Sequence, residues 1–185
     1  MKTSLISAVL AAAALFPIAA QAGERNYVGG NIGAAETKYT VDGFDYRTAK
    51  ETGAKAYYGH RFTPMWGIET GVATMGKEKQ GSGGFTASLE PSALYVAATG
   101  TWSFGRVFAL TAKAGVSYNK ITVKTSFEGD DSDDTVSPMI GIGGIFKLSD
   151  KVSLVVEHEY FGDMIKEDDV KVRSQMLSAG VRFNF

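Results

Sequence analysis

Apolar residues alternate with small or polar residues along the last eleven positions of the chain, 175–185. Phe185, Phe183, Val181, Ala179 and Leu177 are apolar, and Met176 is the one large apolar residue among the others. A period of two places alternate side chains on opposite faces of a strand. The pattern therefore predicts a β-strand that has one apolar face and ends on an aromatic residue.

The same alternation recurs along the chain and predicts eight strands in all. We place them at 26–39, 50–62, 66–78, 85–104, 106–123, 136–148, 151–163 and 171–185. Their connections alternate between short turns, near 63–65, 103–106 and 148–151, and long loops, near 40–49, 79–84, 124–135 and 164–170. Such an alternation is typical of antiparallel transmembrane barrels. Pro91 predicts a bulge in the fourth strand, because proline has no N–H to donate to a strand ladder.

The N-terminus has the three parts of a secretory signal peptide. Lys2 supplies the positive charge, residues 5–14 the apolar core, and Ala20-Gln21-Ala22 the cleavage site. We expect residues 1–22 to be removed and residues 23–185 to form a single domain. No later apolar run approaches the roughly 18 residues of a membrane helix, and a lipid-exposed chain without such helices must close its sheet. The sequence thus predicts an all-β fold, an eight-stranded antiparallel up-and-down transmembrane β-barrel in the bacterial outer membrane.

The composition excludes several other classes of protein. Without the signal peptide the chain has 18 Lys and Arg against 20 Asp and Glu, so it lacks the basic excess of a nucleic-acid-binding protein. It has no Cys, which excludes disulfide bonds and thiolate chemistry. No phosphate-binding or redox-cofactor motif is present. We expect a monomer with no cofactor, no metal site and no nucleic-acid partner.

Charged residues are predicted inside the barrel. The inward set by alternation is Lys55, Arg61, Glu69, Lys113, Lys147, Glu157, Glu159 and Arg182. Counted from the short turns, Arg61, Glu69, Lys147 and Arg182 form a low layer, and the others lie near or above the middle of the membrane. Both layers mix signs, and eight strands leave an interior just wide enough for side chains. We therefore expect ion pairs and a polar plug with small water pockets.

Large aromatic residues are predicted to form an interfacial girdle on the outer face, beside the short turns. They are Phe62, Trp66, Trp102, Phe104, Phe108, Phe146 and Phe183. The expected partners are outer-membrane lipids and lipopolysaccharide. The apolar residues of the last strand form an assembly signal for the barrel assembly machinery, namely Leu177, Ala179, Val181, Phe183 and Phe185.

Two features raise the question of further chemistry. Residues 128–134 hold five acidic side chains, which could bind a divalent cation or form a solvated loop. The chain has two histidines, His60 and His158, and a lipid-modifying enzyme would need a serine hydroxyl close to one of them. The residue two positions after each histidine is Phe62 or Tyr160, and there is no nucleophile elbow. We therefore predict that the protein is not an enzyme.

Several motifs, taken in order, resemble the transmembrane domain of the OmpA family. They are Gly-Ala-Lys-Ala-Tyr-Tyr-Gly-His at 53–60, Pro-Met-Trp-Gly-Ile-Glu-Thr-Gly at 64–71, Leu-Thr-Ala-Lys-Ala-Gly at 110–115, Val-Ser-Pro at 136–138, Gly-Gly at 143–144, Val-Glu-His-Glu-Tyr at 156–160 and Leu-Ser-Ala-Gly-Val-Arg-Phe at 177–183. The resemblance implies that Glu69, Lys113 and Glu157 occupy the family's inward charged positions. Thr99 and Val155 stand where the family usually has basic residues. The sequence stops at the barrel, so we expect no peptidoglycan-binding domain and no anchoring to the cell wall.

The resemblance and the pattern together favour an integral outer-membrane protein with a structural or surface-interaction role. The alternatives are a narrow porin-like channel for ions or very small solutes and, third, a lipid-modifying enzyme of the outer membrane.

Overall fold

The strands form one closed antiparallel barrel. The computed structural model describes residues 25–41, 44–76, 78–82, 85–125, 131–166 and 170–185. In this part of the chain the strands are β1 (Asn26–Val41), β2 (Phe44–Arg61), β3 (Trp66–Thr74), β4 (Glu78–Ser82), β5 (Phe85–Phe104), β6 (Phe108–Thr125), β7 (Asp131–Lys147), β8 (Val152–Lys166) and β9 (Val170–Asn184). Apart from β3 and β4, successive strands pair with each other, and β9 pairs with β1. β3 and β4 both pair with β5 and follow one another along it. With β3 and β4 sharing one position, the predicted eight-stranded up-and-down barrel is confirmed.

One end of the barrel carries the short turns and is called the turn end. The turns lie at 62–65, 105–107 and 148–151, and Asn26 and Phe185 exchange backbone hydrogen bonds of 3.0 and 2.9 Å beside them. The opposite end is called the loop end. No helix in the described ranges is long and apolar enough to cross a membrane.

The bounds of the long loops predicted at the loop end are wrong, because the described strands continue into those loops. The ladder of β1 and β2 reaches Val41 and Phe44, and that of β4 and β5 reaches Ser82 and Phe85. A ladder satisfies backbone N–H and C=O groups at any distance from the membrane. The alternation of apolar and polar residues in the sequence ends before the strands do.

Pro91 does not cause the predicted bulge in its own strand. The register between β5 and β6 is regular through Pro91 and Ile121. The interruption lies instead on the opposite side, between β3 and β4, where the Met75 N–H donates to the Pro91 carbonyl at 3.0 Å. In an antiparallel ladder the N–H and C=O of one residue face the same neighbour. The missing N–H of Pro91 therefore faces the β3–β4 break and leaves its pairing with β6 intact.

An apolar band surrounds the barrel on the outside. On β5 it runs from Leu94 to Phe104 and on β6 from Phe108 to Tyr118, so each crossing takes 11 residues. This matches the roughly 9–11 residues that a tilted strand needs to span a bilayer. All seven predicted girdle residues lie on the outer face at the turn end. Trp66 contacts Trp102 edge to face, with ring centroids 6.4 Å apart, and the ring of Phe108 packs at a tilt of 50° against that of Phe146, with centroids 5.1 Å apart.

Inside the barrel, large side chains lie across glycines of the neighbouring strand. Tyr27 is in register with Gly59, and Tyr57 with Gly29. A Cβ atom at Gly59 would be 2.0 Å from the Tyr27 ring, and one at Gly29 would be 2.2 Å from the Tyr57 ring. These glycines therefore make the room that allows two tyrosines to enter a narrow interior.

Candidate functional site: the barrel interior

Six charged side chains form one buried ion-pair network in the middle of the interior. Three are cations and three are carboxylates: Lys55, Lys113, Arg182, Glu69, Glu157 and Glu159. The Nζ atom of Lys55 lies 2.5 Å from a carboxylate oxygen of Glu157 and 2.5 Å from one of Glu159. The Nζ atom of Lys113 lies 2.6 Å from Glu69, 2.6 Å from Glu157 and 3.1 Å from Glu159. The network thus links strands on opposite sides of the barrel and has no net charge.

Polar neutral residues complete the contacts of the carboxylates. Tyr27 and Tyr95 each donate a hydroxyl hydrogen bond to Glu69, at 3.0 and 2.7 Å. Asn31 donates its amide to Glu157 at 3.1 Å. A buried charge is tolerated when it is paired and its remaining lone pairs are hydrogen-bonded. Each of these acids is paired with at least one cation. The Oε1 atom of Glu157 has no hydrogen-bond donor among the described residues, and it lies 2.6 Å from the Nζ atom of Lys113. The paired network therefore fills the middle of the barrel.

Two glycines on β7 leave room for the side chains of the two glutamates on β8. Gly143 is in register with Glu157, and Gly141 with Glu159. Added Cβ atoms at these glycines would lie 2.7 Å from Cγ of Glu157 and 2.9 Å from Cγ of Glu159. The side chains of Glu157 and Glu159 therefore pass over the glycines of β7 on their way to the lysines. Tyr27 passes over Gly59 of β2, and Tyr57 over Gly29 of β1, in the same way.

An apolar layer closes the interior on the loop-end side of the network. Its members are fully buried: Met75, Ile121, Met139, Phe161, Val172 and Met176. The ring of Phe161 lies edge to face against Tyr95, with centroids 6.0 Å apart. This layer was not predicted from the sequence, which predicted a polar plug with small water pockets. The sequence contained a signal for this layer, because Met75, Met139 and Met176 all occupy inward positions of the alternation. Methionine is a residue that fills irregular interior space.

A bulge in β8 supports the apolar layer. The register of β8 and β9 shifts between Tyr160 and Asp163, where Gly162 has a φ of 76°. The Phe161 carbonyl accepts hydrogen bonds from the Ser117 hydroxyl at 2.6 Å and the Asn119 amide at 2.8 Å. These bonds come from β6, two strands away in the sheet. They satisfy a carbonyl that the bulge removes from the ladder.

A cavity of about 360 Å³ lies at the turn end, on the other side of the network. Its charged lining residues are Arg25, Arg61, Lys147 and Arg182. The four residues that were predicted to form one low layer therefore lie in two different places. Glu69 and Arg182 join the central network, whereas Arg61 and Lys147 lie apart from it, half-buried at the cavity wall.

The remaining sequence-predicted residues lie outside the interior. Leu177, Ala179, Val181 and Phe183 face outward on β9, and Phe185 follows the strand at the turn end. His158 also faces outward, and the residues directly opposite it on β7 and β9 are Ile142 and Leu177. Residues 128–130 of the acidic segment 128–134 lie outside the described residues and residues 131–134 begin β7, so the cation-binding hypothesis stays a prediction. The signal peptide at 1–22 lies outside the described residues and also stays a prediction.

Comparisons with solved structures identify the same architecture in bacterial outer-membrane proteins. Neisserial surface protein A (NspA) superposes with a TM-score of 0.65 at 20% identity, covering 86% of this chain and 97% of that one. Ail, the attachment invasion locus protein of Yersinia pestis, gives 0.58 at 21% identity, covering 86% and 99%. OprG from Pseudomonas aeruginosa gives 0.56 at 14% identity, covering 87% and 96%. At these identities the likeness is one of fold.

The family comparison is more specific. The family described as outer membrane protein beta-barrel domain matches residues 8–185. A comparison with curated protein sequences gives no significant match. The family match covers nearly the whole chain and agrees with the closed barrel and its apolar outer band. The chain therefore belongs to the outer membrane protein beta-barrel domain family and is an integral protein of the outer membrane.

Proposed function

We propose that this protein acts through the surface that its long strands expose outside the cell, with the barrel as a closed and rigid support. The observation that carries this proposal is the contrast between a filled interior and strands that are much longer than a membrane crossing requires. The orientation follows from the general rule that short turns are periplasmic and the opposite end is extracellular.

The filled interior supports a role that needs no passage through the barrel. The ion-pair network fills the middle, and the apolar layer lies between it and the loop end. A solute would have to separate buried ion pairs and then displace Phe161 and the methionines. Separating buried charges without replacing their partners is strongly unfavourable.

The strand lengths support an exposed working surface. β5 has 20 residues, β6 has 18 and β7 has 17, against the roughly 9–11 that span a bilayer. The excess lies at the loop end, where the apolar band gives way to the exposed polar residues Lys120 and Asp134. About seven further residues on a strand extend roughly 20 Å at 3.3 Å per residue. These extensions form a ladder-supported wall that can present a binding surface.

The names of two proteins of similar structure are consistent with a role at the cell surface. One is called a surface protein and another an attachment invasion locus protein. For this chain we propose a monomeric barrel whose apolar band contacts lipid and lipopolysaccharide and whose last strand is recognised during assembly. Catalysis is not part of the proposal, since the register neighbours of His158 on both adjacent strands are apolar.

A narrow ion conduit is the second candidate. The observation in its favour is the cavity at the turn end, which gives access from the periplasm as far as Arg182. Conduction would require the central ion pairs to exchange partners and the apolar layer to open. The first proposal requires neither movement.

Shortening the exposed hairpin of β6 and β7 tests the first proposal. Residues 120–134 would be replaced by an Asn-Gly turn, which suits a two-residue hairpin. We expect the variant to fold and to insert into the outer membrane, but not to restore the surface phenotypes of a deletion strain, such as adherence and serum survival. The wild-type gene in the same strain is the control. Full restoration by the shortened barrel would show that this surface is not the working part.

A further inference from the structure

We propose that the turn-end cavity is a binding site for a small organic oxyanion from the periplasm, a phosphate or carboxylate carried on a short apolar group. This inference concerns the periplasmic face and is independent of the surface role proposed above. It depends on the charge, the buried donors and the mixed lining of the cavity.

The cavity is lined by cations without acidic side chains among the described residues. Arg25, Arg61, Lys147 and Arg182 contribute to its wall. Lys147 forms no part of the central network, which is already neutral within itself. The Nη2 atom of Arg61 donates to the Asn184 side-chain oxygen at 2.9 Å, a contact that holds the guanidinium in place.

The surrounding turns strengthen the positive potential. Arg106 and Lys151 lie in two of the three described turns, and Asp150 is the single acidic side chain that these turns contribute. A concave site that is lined by one sign of charge concentrates ions of the opposite sign. The electrostatic potential at the opening of the turn-end cavity therefore favours the binding of anions.

Arg182 gives the second, independent sign of a ligand site. It is only 5% exposed, it lines the cavity, and its Nε atom has no hydrogen-bond acceptor within the described part of the chain. Its Nη2 atom lies 3.6 Å from Glu69 and 3.5 Å from Glu157, too far for good hydrogen bonds. Buried donors are normally satisfied, and an arginine with free donors suits the paired oxygens of a phosphate or carboxylate.

The rest of the lining indicates an organic ligand rather than a bare ion. Thr101, Ser103 and Ser153 supply hydroxyl groups, whereas Ala109 and Ile145 supply an apolar surface. The volume of about 360 Å³ lies within the range of roughly 300–1,000 Å³ that small-molecule sites occupy. Phenyl phosphate has both parts that such a lining would bind, and it is the probe of choice.

The test measures binding of phenyl phosphate to the folded full-length barrel in zwitterionic micelles by isothermal titration calorimetry. We expect saturable binding with one ligand per barrel, and weaker binding of inorganic phosphate, which lacks the apolar group. Lys147→Gln should weaken binding about tenfold, because it removes a charge from the cavity wall. Lys151→Gln, an exposed turn residue at the same end, is the matched control and should change binding less than about twofold.

Three results would overturn the proposal. One is the absence of saturable binding, and another is equal weakening by Lys147→Gln and Lys151→Gln, which would indicate general attraction to a basic surface. The third is competition by phosphatidylglycerol added to the micelles, which would assign the site to a lipid headgroup instead of a soluble anion. Arg61→Gln, on another part of the wall, provides a second variant with the same expected loss if Lys147→Gln fails to fold.

Discussion

Glu157 illustrates how much depends on single residues in this interior. Its carboxylate lies 2.5 Å from Lys55 and 2.6 Å from Lys113, and Arg182 follows at 3.5 Å. The side chain is fully buried, so water cannot replace any of these partners. Loss of this one acid would leave three cations facing two carboxylates.

We predict that Glu157→Gln destabilises the folded barrel by about 3–5 kcal/mol, the usual cost of removing one partner from a buried ion pair. Urea unfolding in lipid vesicles, followed by the fluorescence of the two tryptophans, measures the change.

Glu36→Gln is the matched control for this measurement. Glu36 also contacts two lysines, Lys38 at 3.6 Å and Lys50 at 3.8 Å, but its partners are largely exposed. Such pairs contribute only about 0–1 kcal/mol. Equal losses from the two substitutions would contradict the importance of the buried network.

At the residue scale, alternation predicts the face of a side chain but not its partners. Lys113 and Glu69 were both placed inside by parity, yet in different layers. The structure brings them within 2.6 Å. Strands in a barrel are tilted and staggered, so equal counts from the turns do not give equal heights on distant strands. The neutral centre and the basic cavity could not be separated from the sequence for this reason.

At the element scale, the bulge of β8 is the feature that the sequence analysis missed. Gly162 has positive φ, and an added Cβ would lie 2.4 Å from the Ser137 Cβ and 2.7 Å from the Pro138 carbonyl. The alternation of inward and outward residues along β8 continues through Phe161 without a break in the sequence. A bulge changes the pairing of the strand, and it needs only one residue that can adopt positive φ, here Gly162. By contrast, the ends of the strands beside the short turns were predicted well, because there the apolar band continues to the turn.

We predict that Gly162→Ala destabilises the barrel more than Gly105→Ala, by about 1–3 kcal/mol, the typical cost of overpacking. Gly105 is the matched control, since it has a similar φ of 72° but no atom within 4 Å of an added Cβ. Urea midpoints of the two variants measure the difference. If both variants lose the same stability, backbone strain alone accounts for the effect and the close approach of β8 to β7 does not matter.

At the scale of the whole molecule, the barrel combines a closed interior with two different ends. The fold and the outer-membrane localisation were predictable from the sequence, because lipid demands closure of the sheet and an apolar outer face. The apolar layer was not, because alternation assigns the methionines and Phe161 to the interior without stating that they meet. The apolar layer and the ion-pair network together fill the interior, and this filling directs the proposed function to the exposed strands.

Single-channel recording in a planar bilayer tests the proposed closure of the interior most directly. The folded wild-type barrel, with incorporation confirmed and an open porin as the positive control, should give no steady conductance above that of the bare bilayer. The Lys113→Ala/Glu157→Ala double variant removes one charge of each sign from the network and leaves the apolar layer in place, so it should also give no steady conductance. Regular discrete openings of the wild-type protein would contradict the account, and would make the narrow conduit the better description of its function.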